Sequence, residues 1–295
     1  MIKVSGPVKD LHSGRGGSVD EPMNDLVALL GGLVRADGTI LVEGACDGAP
    51  DAASAAERER VATVDFSLDG HKAAMGVSRL RHEGDKAATL LGMWRRPNLS
   101  IHGVEGAHAG PGAKTVIPSA VTGKFSIRLA AGQDPDHVAA CVERHLAAAF
   151  AALGTSNTLA VSCPDRAPAF GGDPDDFNYR AARRANAAVW GVEPDLTCSG
   201  GSIPITAVLQ ATGRSVVLLP IGRADDGAHS QNEKYDVNNL LAGVKLCGTY
   251  FHEIARGGGG AEGGGAEGAP PAKRKKVVKY DRCRCGAFGF QCNKC

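Results

Sequence analysis

Gly123-Lys124-Phe125-Ser126-Ile127-Arg128-Leu129, followed after a short gap by Asp134-Pro135-Asp136, decides how the first half of the chain folds. From Val121 to Leu129 apolar and polar residues alternate enough to predict a strand with one covered face. Asp134 then reads as a helix cap, and Pro135 takes the first helical position, where a missing N–H is not needed. Val138, Cys141, Val142, His145, Leu146, Ala149, Phe150 and Leu153 recur on one face of the helix that follows.

Working outward, residues 2–6, Leu99 to Val104 and Leu159 to Ser162 are further strands. Asp20 to Val34 is a helix whose apolar face carries Met23, Leu26, Val27, Leu30, Leu33 and Val34, with Pro22 in its first turn. The resulting order is strand, helix, strand, strand, helix, strand, which fits an antiparallel α+β sandwich. Residues 43–60 read as a loop that becomes a polar helix, and Val77 to Met93 fits no single period.

After Pro164 the pattern changes. Phe177 to Trp190 and Ile203 to Gln210 read as helices, Asp195 to Thr197 as a short extended piece, and Gly200-Gly201 as a tight turn. Residues 215–221 read as a buried strand, and Val237 to Ile254 as an apolar helix. This alternation predicts part of an α/β domain.

The chain has 295 residues, 43% hydrophobic and 22% charged, ordinary values for a soluble domain pair. No window reaches the roughly 18–20 apolar residues a membrane helix needs, and the N-terminus does not resemble a signal peptide. The net charge of +1 hides an asymmetry: residues 257–295 hold eight Lys or Arg against three Asp or Glu. The body is therefore slightly acidic and carries no basic signature for nucleic acid. Of nine Cys, five are scattered, as expected of reduced thiols in a cytoplasmic protein, and four lie in the last thirteen residues. Gly257 to Gly268 is low-complexity and predicted to be disordered. Lys273-Arg274-Lys275-Lys276 reads as a solvated charge run or a basic import segment. Cys283, Cys285, Cys292 and Cys295 read as a zinc site of poor spacing or as an extension from a misjudged reading frame.

Chemistry centres first on Asp225-Asp226-Gly227-Ala228-His229-Ser230-Gln231-Asn232-Glu233-Lys234, a polar loop between the 215–221 run and the last helix. By residue type alone, His229 is a metal ligand, a catalytic base or a member of a helix-capping loop. Six stretches narrow the choice: that loop, Asp10-Leu11-His12-Ser13-Gly14, Ser100 to Gly106, Gly112 to Pro118, Gly123 to Leu129 and Gly191 to Thr197. Taken in chain order, with Gly200 to Thr206 and then that loop last, they resemble the cytosolic non-specific dipeptidase and carnosine dipeptidase family, two-metal metallopeptidases of the carboxypeptidase, aminoacylase and dipeptidase superfamily.

The resemblance runs from near Val4 to about Ala255. It implies a lid and dimerisation domain over 1–163, an antiparallel sheet with helices on one face. It also implies the C-terminal part of an α/β catalytic domain over 164–256, with a tail at 257–295. The implied activity is hydrolysis of dipeptides, with zinc or manganese as divalent metal, in a cytoplasmic homodimer formed through the lid.

The family's H-x-D motif, acidic pair and further acid are not found, so the chain is expected to be an N-terminally truncated fragment, inactive alone. A non-catalytic dimerisation module is the alternative. The resemblance makes His229 a metal ligand and substrate contact, and His12 a catalytic group that reaches into the partner subunit's site and polarises the scissile carbonyl. It places Thr115, Arg128 and Ser202 on substrate. One departure is the single residue, Arg15, between Gly14 and Gly16-Gly17, where the family has two; the loop is expected to shift.

Overall fold

The computed structural model describes residues 1–50, 53–198, 203–223, 226–227 and 231–257. The chain divides into two compact units. The first joins Met1–Ala52 to Arg95–Phe170, and the second joins Ala53–Trp94 to the chain from Gly171 on.

The first unit is built on a four-stranded antiparallel sheet. Its strands are β1 (Ile2–Ser5), β3 (Asn98–Glu105), β5 (Ala120–Arg128) and β6 (Thr158–Val161), in the order β3-β5-β1-β6. Ile2 and Val4 of β1 are fully buried, as alternation in an interior strand requires. Helix α1 (Pro22–Gly31) packs on β1 and β5, and α5 (Pro135–Leu153) packs on α1 and β6. Leu26, Leu29, Leu30 and Leu33 form one core with Val138, Cys141, Val142 and Leu146. Both ends of α5 are set by local chemistry. Asp134 accepts the Asp136 N–H at 2.9 Å, and Gly154 closes the helix at φ 64, a left-handed conformation that glycine adopts freely. Gly123 lies directly under α1; a β-carbon there would stand 2.9 Å from Leu26 Cδ1.

The register between β3 and β5 breaks once. Ile101 faces Phe125 and Gly103 faces Lys124, leaving His102 as the extra residue of a bulge in the edge strand. A separate two-stranded ribbon pairs β2 (Leu11–His12) with β4 (Val116–Ile117).

In the second unit α6 (Phe177–Trp190) packs on α8 (Val237–Gly257). Ala181, Ala182 and Ala185 are buried on α6, small enough for close approach, and Leu246 is fully buried on α8. Helices α2 (Ala55–Thr63), α3 (Leu68–Met75) and α4 (Lys86–Arg95) precede them in the chain, and Val61, Val64, Ala87, Leu90 and Leu91 form a small core of their own. A short helix, α7 (Pro204–Gln210), completes the unit. The expected strand at 215–221 is a correction. The run is half-buried, but it forms no strand with any described residue. Among the described residues no helix is long and apolar enough to cross a membrane.

Candidate functional site

The β2–β4 ribbon positions His12. Two bonds from Ser119 close one end of it: Asp10 Oδ1 accepts both the Ser119 N–H and its hydroxyl at 2.9 Å. These donors hold the Asp10 carboxyl below the usual carboxylate range, the backbone bond being the larger influence. At the other end the Ser13 N–H donates to the Thr115 carbonyl at 3.2 Å. The ribbon thus brings His12 and Thr115 together, both exposed.

The His12 ring is fixed by its own turn. Nδ1 accepts the Gly14 N–H at 3.0 Å at the start of a one-turn 3-10 helix, Ser13–Arg15. An Nδ1 that accepts a hydrogen bond carries no proton, so in the neutral ring Nε2 is the N–H donor. Gly14 leaves room for this; a β-carbon there would sit 3.1 Å from Nδ1. The Arg15-Gly16-Gly17 connection closes through the 3-10 turn, in which Gly16 N donates to Ser13 O at 2.8 Å, and through Gly17 at φ 79.

Arg128 stands elsewhere. It ends β5, opposite Asn98 on β3. The ribbon adjoins the other end of β5, and at about 3.4 Å per residue the two ends lie roughly 27 Å apart. The ribbon is tied to Ser119, just before β5 begins, and Arg128 ends that strand. Ser202 and His229 lie outside the described residues, as does the tail. Among the described residues no three His, Cys, Asp or Glu side chains form a group that could hold a metal ion.

Two residues escaped the sequence reading. Asp10 latches the ribbon, and its only signal was its place in the Asp-Leu-His-Ser-Gly stretch. His102, raised by the bulge, meets Ser126 Oγ through Nε2 at 2.7 Å; a bulge leaves no mark in the apolar period.

Comparison with known proteins bears on these positions. Residues 2–153 match the peptidase dimerisation domain. The chain is 42% identical over 256 residues to the Cys-Gly metallodipeptidase dug1 of Schizosaccharomyces pombe, covering 86% of this chain and 53% of that protein. It is 41% identical over 260 residues to the Beta-Ala-His dipeptidase of Homo sapiens, covering 87% of this chain and 50% of that protein. The solved structure of the di-peptidase Dug1p from Saccharomyces cerevisiae superimposes with a TM-score of 0.78 at 41% identity, covering 86% of this chain and 53% of that one. The chain spans about half the length of the curated relatives it matches.

Proposed function

The chain belongs to the peptidase dimerisation domain family, and from that premise we propose that it is the dimer-forming, substrate-facing part of a cytoplasmic metal-dependent dipeptidase. The observation that supports this best is the held imidazole of His12. Its Nδ1 is occupied by the Gly14 N–H, so its Nε2–H points away as a donor beside Thr115. A fixed donor aimed at a carbonyl oxygen stabilises the negative charge that develops there during peptide cleavage, without reorganising at that moment.

The separation of His12 and Thr115 from Arg128 favours a homodimer through the lid, residues 1–163. One subunit would supply the imidazole and the hydroxyl, and its partner's substrate would rest on Arg128. The guanidinium forks onto a dipeptide's free carboxylate. By resemblance Ser202 and His229 also contact substrate, in the 164–256 segment.

Zinc or manganese is the metal this family reading implies. The described residues do not form its site, and the one ligand the resemblance assigns, His229, lies outside them. A single neutral imidazole does not hold a divalent ion usefully against water. We therefore propose that the 295-residue chain by itself does not turn over dipeptides.

The test is a chimera. Residues 2–256 of this chain replace the aligned stretch of the fission-yeast Cys-Gly metallodipeptidase, and Cys-Gly hydrolysis is assayed with added manganese or zinc. An active chimera that loses on the order of 100-fold or more in kcat on His12→Ala supports the reading. A folded, dimeric chimera whose His12→Ala variant is equally active overturns it. The isolated chain should show no hydrolysis under the same conditions, and turnover lost in His229→Ala would refute that part.

A further inference from the structure

The ribbon that carries His12 is thinly anchored. It pairs two residues with two, Leu11 with Ile117 and His12 with Val116. On the β4 side Ile117 and Pro118 are buried. On the β2 side no residue is: Leu11 is half-buried, and Val8, Lys9, Asp10 and His12 are exposed. A strand without a buried apolar set has a weakly specified register, and a slip of one residue turns every side chain to the opposite face. Two ladder pairs and one half-buried leucine are a weak guard against such a slip.

Ser119 supplies what packing does not. Its N–H and its hydroxyl both donate to Asp10 Oδ1 at 2.9 Å, and its carbonyl accepts the Gly6 N–H at 2.9 Å. One residue thereby ties the point where the chain leaves β1 to the point where it enters β2, and closes Pro7-Val8-Lys9 into a loop. Ser119 is itself placed by the buried Pro118 before it and by β5, which starts at Ala120. With Asp10 held on Ser119, Leu11 falls opposite Ile117 and His12 opposite Val116.

We infer that Asp10 is a positioning residue for His12: its carboxylate sets the register of the ribbon and so fixes the face from which the imidazole is presented. Asp10 touches no substrate and moves no proton. The inference rests on the reading of His12 as a donor to the scissile carbonyl. Asparagine offers Ser119 the same Oδ1 acceptor and alanine offers none, so the two substitutions separate the latch from the charge. A matched latch lies outside the ribbon. Asp20 Oδ2 accepts the Ser156 N–H at 2.8 Å and the Ser156 hydroxyl at 2.7 Å.

The test measures Cys-Gly hydrolysis by the chimera that carries residues 2–256 of this chain in the fission-yeast metallodipeptidase. Asp10→Ala should lower kcat on the order of 10- to 100-fold and leave KM within about threefold, because a misplaced imidazole fails in the transition state more than in the bound substrate. Asp10→Asn and Asp20→Ala should each stay within about threefold of the unsubstituted chimera. In a His12→Ala background, Asp10→Ala should cost less than about threefold more, since a residue that acts through the imidazole has nothing left to position. A general loss of fold would instead multiply the two losses. The inference alone is overturned by a silent Asp10→Ala beside a costly His12→Ala, by losses that multiply in the double variant, by Asp10→Asn as impaired as Asp10→Ala, or by Asp20→Ala as impaired as Asp10→Ala. A silent His12→Ala overturns the reading of His12 and this inference with it.

Discussion

Substituting Gly123 should loosen the first unit by an amount its surroundings set. An added β-carbon would lie 2.9 Å from Leu26 Cδ1 and 3.2 and 3.3 Å from the Leu30 methyls. Leu26 is fully buried and Leu30 is 7% exposed, so neither can swing into solvent to make room. Overpacking of this kind costs about 1–3 kcal/mol. Alanine recovers about 0.5–1 kcal/mol of backbone entropy relative to glycine in a strand, leaving Gly123→Ala destabilised by roughly 0.5–2 kcal/mol. Valine places two further carbons in the same gap, and Gly123→Val should cost about 3 kcal/mol.

The control is Gly103 on β3, where an added β-carbon meets nothing within 4 Å; Gly103→Ala should be neutral or slightly stabilising. Thermal melts followed by far-ultraviolet circular dichroism would read the difference. Gly123→Ala should melt on the order of 2–8 °C lower, and Gly123→Val lower still. Equal melting of Gly123→Val and Gly103→Val would mean that α1 does not seat on β5 as described.

Gly14→Ala should displace the His12 ring and lower chimera activity about as much as His12→Ala does, with the melting temperature unchanged; retained activity would detach His12's position from its turn. Asp10 and Asp20 both have carboxyls held below the ordinary 3.8 by Ser119 and Ser156 respectively. Lowered folded values stabilise the native state above 3.8 and are lost as pH falls through them, so the double variant Asp10→Asn, Asp20→Asn should show a shallower stability loss in acid urea titrations. Tyr179 is pushed up to about 12 by burial, so its stabilising effect is complete below about 10 and disappears as pH rises through 12; Tyr179→Phe should remove the last phenolate step in an absorbance titration and leave the earlier ones. Deleting residues 258–295 should leave the melting temperature of the remainder unchanged, as scanning calorimetry would show.

Much of the architecture was legible because each element carried its own signal. The apolar face of α5 followed its Asp-Pro start, α6 and α8 began where expected, and alternation marked β3 and β5, while the order of the strands in the sheet was not readable. What stayed hidden was long-range. Strands β2 and β4 are two residues each and show no period; they exist because Asp10 meets Ser119 and Ser13 meets Thr115, over a hundred residues away. Helix α4 was unreadable because its buried positions, Ala87, Thr89, Leu90 and Leu91, cluster on consecutive residues and do not spread along one stripe. The 215–221 run failed in the opposite way. Its composition is that of a strand, but a strand is defined by a neighbour, and none of the described residues is that neighbour. At the site, residue types near His12 and Thr115 were readable only through resemblance. The hydrogen bond that sets the tautomer of His12 needed coordinates.

The bulge at His102 has a consequence for anything that joins the sheet at its free margin. Strand β3 is an outer strand, and among the described residues no strand pairs with its other side. Along a regular edge such a newcomer slides by two residues and finds an equivalent fit. Here the spacing of donors and acceptors skips a beat between Ile101 and Gly103. A flat strand can match the edge on one side of that skip or the other, but not across it. The extra histidine thereby serves as an index mark, allowing few alignments of an incoming strand and discouraging indefinite edge-to-edge stacking.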